Sequence, residues 1–123
     1  MLGVDRLSLP RPPTRKAVVE LAVWNVFGRW MRRQGWLGFT MPLPGLVIVF
    51  YWMEEAGEEP DPFVRVHEFV HVRQDQRLLF FPVRYLLALV TDRGYRHNRF
   101  EVEARRIEAA ARAEGLPEWA RAQ

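Results

Sequence analysis

Two histidines four residues apart, His67 and His71, enclose Glu68 in the run His67-Glu-Phe-Val-His71, and the chain holds only one other histidine, His97. On a helix this spacing puts both imidazoles on one face, one turn apart, where they can reach a single ion at about 2.0–2.1 Å. Glu68 is displaced about 100° around the axis. It flanks the ion instead of binding it, and it can take a proton from an attacking water. The chemistry this implies is metal-assisted hydrolysis. A catalytic zinc takes three protein ligands, so one more group must come from elsewhere, and Glu101, Glu103, Glu108 and His97 are the candidates. Phe100, Ala104, Ile107 and Ala111 form an apolar helical stripe that Glu101 and Glu103 flank on opposite sides, so periodicity does not choose between them. Tyr95 and His97, just ahead of that stripe, are candidates for stabilising an oxyanion. Gln74 lies two turns from His67 on nearly the same face. It is either a support for a metal-binding histidine or a satisfied polar group of the core.

Several elements must bring these residues together. Asp61 followed by Pro62 is a helix start, with Pro at the first position, and that helix should run to about Leu79 and stop before Pro82. Further helices are expected over about 83–91, ending near Gly94, and about 99–114, ended by Gly115 and Pro117. Residues 95–98 link them. Upstream, Val18, Leu21, Trp24, Phe27 and Met31 recur at helical steps, which predicts a helix from Thr14 whose last turn holds Arg32 and Arg33 and which Gly35 follows. Residues 38–45 read as an edge strand, because Pro42 and Pro44 cannot donate ladder hydrogen bonds. Leu46 to Met53, rich in Val, Ile, Phe and Tyr, reads as a buried strand, and Pro44-Gly45 marks the turn between the two. An acidic loop spans 54–60. Helix, hairpin and three helices make an α+β domain over residues 14–116, with a flexible proline-rich arm over 1–13 and a tail over 117–123.

Composition excludes several alternatives. The chain has 123 residues, 49% of them apolar, enough for one domain with its own core. It has no cysteine, which removes disulfides, thiolate metal sites and cysteine nucleophiles and leaves His, Asp and Glu as ligands. Seventeen arginines and one lysine, Lys16, give a net charge of only +3. These charges are dispersed and most aromatics fit a core, so no nucleic-acid partner is expected. No signal peptide is visible at the start, and no uncharged stretch reaches the roughly 20 residues of a spanning helix. A soluble, cytoplasmic protein is expected.

The run His67-Glu-Phe-Val-His71-Val-Arg-Gln74, followed by Asn98-Arg-Phe-Glu101-Val-Glu-Ala104, resembles the gluzincin metallopeptidases. It is closest in look to the minigluzincins and to the catalytic core of the CAAX prenyl endopeptidases and related membrane metallopeptidases. The likeness covers roughly residues 38–112. It implies a zinc peptidase acting on a peptide or protein, with Glu101 as third ligand, since the family's glutamate often follows Phe and stands three residues before Ala. Glu103 does not fit that slot. The resemblance further implies that residues 39–43 form a rim binding extended substrate by strand addition. The family commonly has Asp one residue after that Ala, where it supports a ligand histidine. Arg105 stands there instead, which leaves open what orients His67 or His71. The competing expectation is a zinc-binding structural or interaction protein without turnover.

Overall fold

The structure, a computed structural model, describes residues 3–121. It is an α+β fold with a four-stranded mixed sheet. The strands are β1 (Val4–Leu7), β2 (Ala17–Val23), β3 (Gly38–Leu43) and β4 (Leu46–Trp52), in the order β1-β2-β4-β3. β2 and β4 pair in parallel and the two outer pairings are antiparallel. The expected hairpin is β3–β4, with β3 at the edge and β4 central. Gly45 at the turn has φ +73°, the left-handed conformation that a proline-glycine turn requires.

The helix predicted from Thr14 is corrected: residues 17–23 are β2, and only Val26–Arg33 is helical (α1). Val18, Glu20 and Ala22 point to the same buried face of β2, an alternation in which the central member is a charge. That charge hides the period of two and leaves the larger apolar residues at steps that also suit a helix. Glu20 is tolerated inside because Arg65 donates to both its oxygens (Nε to Oε2, 2.8 Å; Nη2 to Oε1, 2.7 Å) and Tyr51 Oη donates at 2.6 Å. The expected arm over 1–13 is corrected as well over residues 3–13, its first two residues lying outside those described. β1 pairs with β2, Arg11 donates to Glu20 at 2.8 Å, and the Pro10 carbonyl accepts from Arg65 at 3.0 Å.

α2 (Pro62–Arg77) starts as expected, with Asp61 accepting from the Phe63 N–H at 2.8 Å. One side of it packs Phe69 and Val72 against Val18, Val47, Val49 and Tyr51 of the sheet. The other side packs Phe63 and Val66 against Ala111 of α4 (Arg99–Glu114) and against α5 (Glu118–Arg121). α2 is therefore the middle layer of three. The segment expected as a tail contributes Trp119, whose ring lies 5.0 Å from that of Phe69. α3 (Phe81–Thr91) begins two residues earlier than the sequence suggested, with Pro82 in its first turn. α1 covers part of the sheet's outer face through an edge contact between Phe27 and Trp52. No helix among the described residues is long and apolar enough to cross a membrane.

Candidate metal centre

α2 carries His67 and His71 on one face, ring centroids 5.3 Å apart. The facing carboxylate belongs to Glu101, in the first turn of α4. Asn98 sets that turn. Its Oδ1 caps α4 by accepting from the Phe100 N–H, and its Nδ2 donates to the Tyr85 carbonyl of α3. Glu101 Oε1 lies 3.0 Å from His67 Nε2, and Oε2 lies 3.0 Å from His71 Nε2. One donor atom from each residue falls within 4.8 Å of the others. Tetrahedral ligands about 2.0–2.1 Å from a common zinc sit roughly 3.3 Å apart, so the spacing is close to that of a ligand set. Tyr85 donates to Glu101 Oε2 at 2.6 Å, which locks the carboxylate's second oxygen.

The far ring nitrogens decide the tautomers. Gln74 spends its amide hydrogens on the Phe100 carbonyl (3.1 Å) and Glu103 Oε1 (2.9 Å). Its oxygen therefore faces His71 Nδ1 at 2.8 Å, and Nδ1 is the donor. His67 Nδ1 lies 3.0 Å from Glu108 Oε1, which only accepts. In the neutral rings each Nε2 then presents a lone pair to Glu101. His71 Nε2 is buried and makes no hydrogen bond, although a carboxylate oxygen stands 3.0 Å away. Two lone pairs against a carboxylate repel unless a cation lies between them, and this donor set suits zinc. Without a metal, protons must do the same work. Burial disfavours charged imidazoles here, yet the Glu101 carboxylate against both rings and the Glu68 charge hold both histidines above their ordinary value. Burial likewise opposes ionisation of Glu101, but the two histidines and Tyr85 hold it well below the usual carboxylate range.

Glu108 fills the place left open by Arg105. Arg112, one turn on, donates twice to Glu108 Oε2 (3.1 and 3.0 Å) while its guanidinium lies over the Phe63 ring at 4.5 Å. Arg105 instead donates to the Arg96 carbonyl, bracing the turn ahead of α4. Carboxylates behind a metal histidine are typically worth 10–100-fold in affinity. Glu108→Gln should therefore weaken zinc binding by about 10–100-fold with the fold unchanged, as read by chelator competition and circular dichroism.

Glu68 lies beside this cluster, buried under the edge strand. Thr40 of β3 donates to Glu68 Oε1 at 2.8 Å. A Cβ at Gly38 would stand 3.0 Å from Glu68 Oε2 and 3.1 Å from Cγ, so a side chain at position 38 would push the Glu68 side chain aside by a few tenths of an ångström. Burial raises the Glu68 pKa, partly offset by the histidines and by Thr40. A raised value suits a general base near neutral pH.

A cavity of about 360 Å3 opens over Glu68, His71 and Glu101, walled by Trp36, Phe39, Phe81 and Leu86. Leu37 O accepts from Trp52 N at 3.1 Å, so by alternation along the β3–β4 register the backbone of residues 39, 41 and 43 bonds to β4. That of Gly38, Thr40 and Pro42 faces the cavity. Tyr95 is at the cavity edge against Trp36, ring centroids 5.0 Å apart. Burial, then the Glu101 and Glu68 charges, push its phenol up. His97 sits exposed on the turn Tyr95–His97 and does not line this cavity. The structure thus brings together His67, Glu68, His71, Glu101 and Tyr95, and leaves His97 outside. Glu103 serves at one remove, holding Gln74. Thr40 and Tyr85 were not singled out by sequence reasoning, and no local pattern marks either one.

Neither the family models, nor the curated proteins, nor the solved structures contain a match to this chain.

Proposed function

We propose that the protein is a zinc-dependent metallohydrolase that cleaves peptide bonds, with His67, His71 and Glu101 as ligands and Glu68 as general base. The observation carrying this reading is the Glu101 carboxylate held 3.0 Å from both Nε2 atoms, with the far nitrogens already committed to Gln74 and Glu108. A bound zinc ion would supply Lewis-acid activation of the attacking water and of the scissile carbonyl. The rest is work for the chain. Glu68, aimed by Thr40, takes the proton from the water and hands it to the leaving amine. Tyr95, kept protonated, can donate to the carbonyl oxygen as it gains charge. The outward N–H groups of Gly38 and Thr40 and the carbonyl of Pro42 can hold an extended substrate as an added strand, and the aromatic walls favour a large apolar side chain beside the scissile bond.

The ligand set has a direct test in zinc affinity measured by chelator competition. Wild type should bind one equivalent. Glu101→Gln should lose more than the roughly 100-fold that bounds a supporting residue, and Glu103→Gln should lose less than Glu108→Gln. A wild type that takes up well under one equivalent, or a ranking with Glu103 above Glu101, overturns the assignment.

A further inference from the structure

α3 and the two residues before it expose a row of large apolar side chains. Val83, Leu86, Leu87 and Val90 stand at i, i+3, i+4 and i+7, and with Leu79 and Phe80 they are 55–80% exposed. The opposite side of the helix, Phe81, Tyr85 and Ala88, already packs inward, so this row is a second apolar face that the domain does not use. Phe80 is held in the left-handed region at φ +57° with its ring out in solvent, a conformation a bulky residue rarely adopts.

The charge of the segment that carries this face is one-sided. From Arg77 to Arg99 the chain has five arginines against the single acid Asp92, a net +4, while the whole chain nets +3. The remainder of the molecule is thus slightly acidic. Arg77 and Arg99 are paired, to Glu103 and Asp92, whereas Arg84, Arg93 and Arg96 are exposed and form no ion pair among the described residues. A second copy docked through the same face would bring like charges together. An anionic surface would neutralise them. α3 has 11 residues, about 16 Å of helix, against a hydrocarbon core of about 30 Å, so it can lie in a membrane interface but not span one.

We infer that α3 docks the protein onto the surface of an anionic lipid bilayer, with Leu79, Phe80, Val83, Leu87 and Val90 entering the headgroup boundary and Arg84, Arg93 and Arg96 meeting lipid phosphates. Leu86 belongs to both this face and the cavity over Glu68, so a docked molecule opens its cleft at the bilayer. If the proposed hydrolysis holds, its substrates are membrane-proximal peptide segments.

The test is flotation of the full chain with phosphatidylcholine vesicles, with and without a minority of phosphatidylglycerol, at low and high salt and without substrate, so that it is independent of any hydrolysis. An arginine near an anionic surface is worth roughly five-fold in binding, and salt screens it. Binding to the anionic vesicles should be at least about ten-fold tighter than to neutral ones, and high salt should weaken it. Leu87→Gln with Val90→Gln, both outside the cleft, should weaken it about ten-fold or more with an unchanged circular dichroism spectrum. Arg84→Gln with Arg93→Gln and Arg96→Gln should erase the preference for anionic lipid. The inference is overturned by absence of binding to anionic vesicles, by equal binding to both compositions, or by wild-type binding of the Leu87/Val90 variant. Self-association in sedimentation velocity that this variant abolishes, without vesicle binding, would assign the face to a second copy.

Discussion

Glu68→Gln should keep one zinc and the fold while turnover of a mixed peptide library falls by about 10²–10⁴-fold, the usual worth of general acid–base catalysis. The amide retains the size of the side chain and can still meet Thr40, but it cannot accept a proton at neutral pH. A base and a ligand fail differently. His67→Ala or His71→Ala should lose metal and, with it, the stability that binding to the folded state contributes, whereas Glu68 is outside the proposed ligand set. Zinc content, melting temperature and initial rate measured on the same preparations separate the cases. A variant as fast as wild type would remove Glu68 from its role. A wild type that holds zinc and cleaves nothing across a broad library would leave a zinc-binding protein without turnover.

The largest loss of stability should come from Arg65. Its guanidinium and the Glu20 carboxylate are both fully buried, and Arg65 also donates to the Pro10 carbonyl and lies 5.2 Å from the Trp119 ring. Removing one member of a buried pair leaves the other charge uncompensated, at about 3–5 kcal/mol. Arg65→Met should fall in or slightly below that range, because Arg11 remains beside Glu20 at 2.8 Å. The double substitution Arg65→Met with Glu20→Met should recover part of the loss, since the desolvation penalty disappears with both charges. Acid should act on the same pair. Burial alone would raise the Glu20 pKa, but hydrogen bonds from Arg65, Tyr51 and Arg11 overcome it and hold the group below its ordinary 4.5. Folded Glu20 thus binds its proton more weakly than the unfolded chain does. Its contribution is complete above about pH 4.5 and is lost as pH falls through the lower, folded value. Urea melts at neutral pH and near pH 3 should show wild type losing more stability on acidification than Arg65→Met. Equal losses would move the acid sensitivity elsewhere.

Much of this architecture is legible in the sequence because the signals are local. Asp61-Pro62 opens α2, Pro44-Gly45 turns the hairpin, and Asn98 and Gly115 bracket α4 at the residues expected. The spacing of His67 and His71 places both on one face by helix geometry alone, and the slot occupied by Glu101 came from the motif, not from periodicity. What stayed hidden depends on partners far along the chain. β2 resembles a helix in sequence because Glu20 interrupts its alternation, and a buried charge makes sense only with Arg65, 45 residues later. Glu108 was among the possible ligands, but its part behind His67 follows from how α4 lies against α2. Tyr85 reaches Glu101 across two helices, and Thr40 reaches Glu68 from the opposite wall. Neither spacing nor composition encodes those meetings.

α2 is a helix with almost no outside. Between Pro62 and Arg77 only Arg73 and Arg77 are exposed, because the sheet covers one side and α4 with α5 the other. An ordinary amphipathic helix can change half its positions freely over generations. Here nearly every position answers to a neighbour, in a close-packed interior where the loss of a single methylene is felt. Diverging descendants of this chain would record their history in the loops, in α1 and on the outer face of α4, while the segment from Val64 to Asp75 drifted least. A library randomised across that segment would return few folded members, and those would differ from the parent mainly at Arg73.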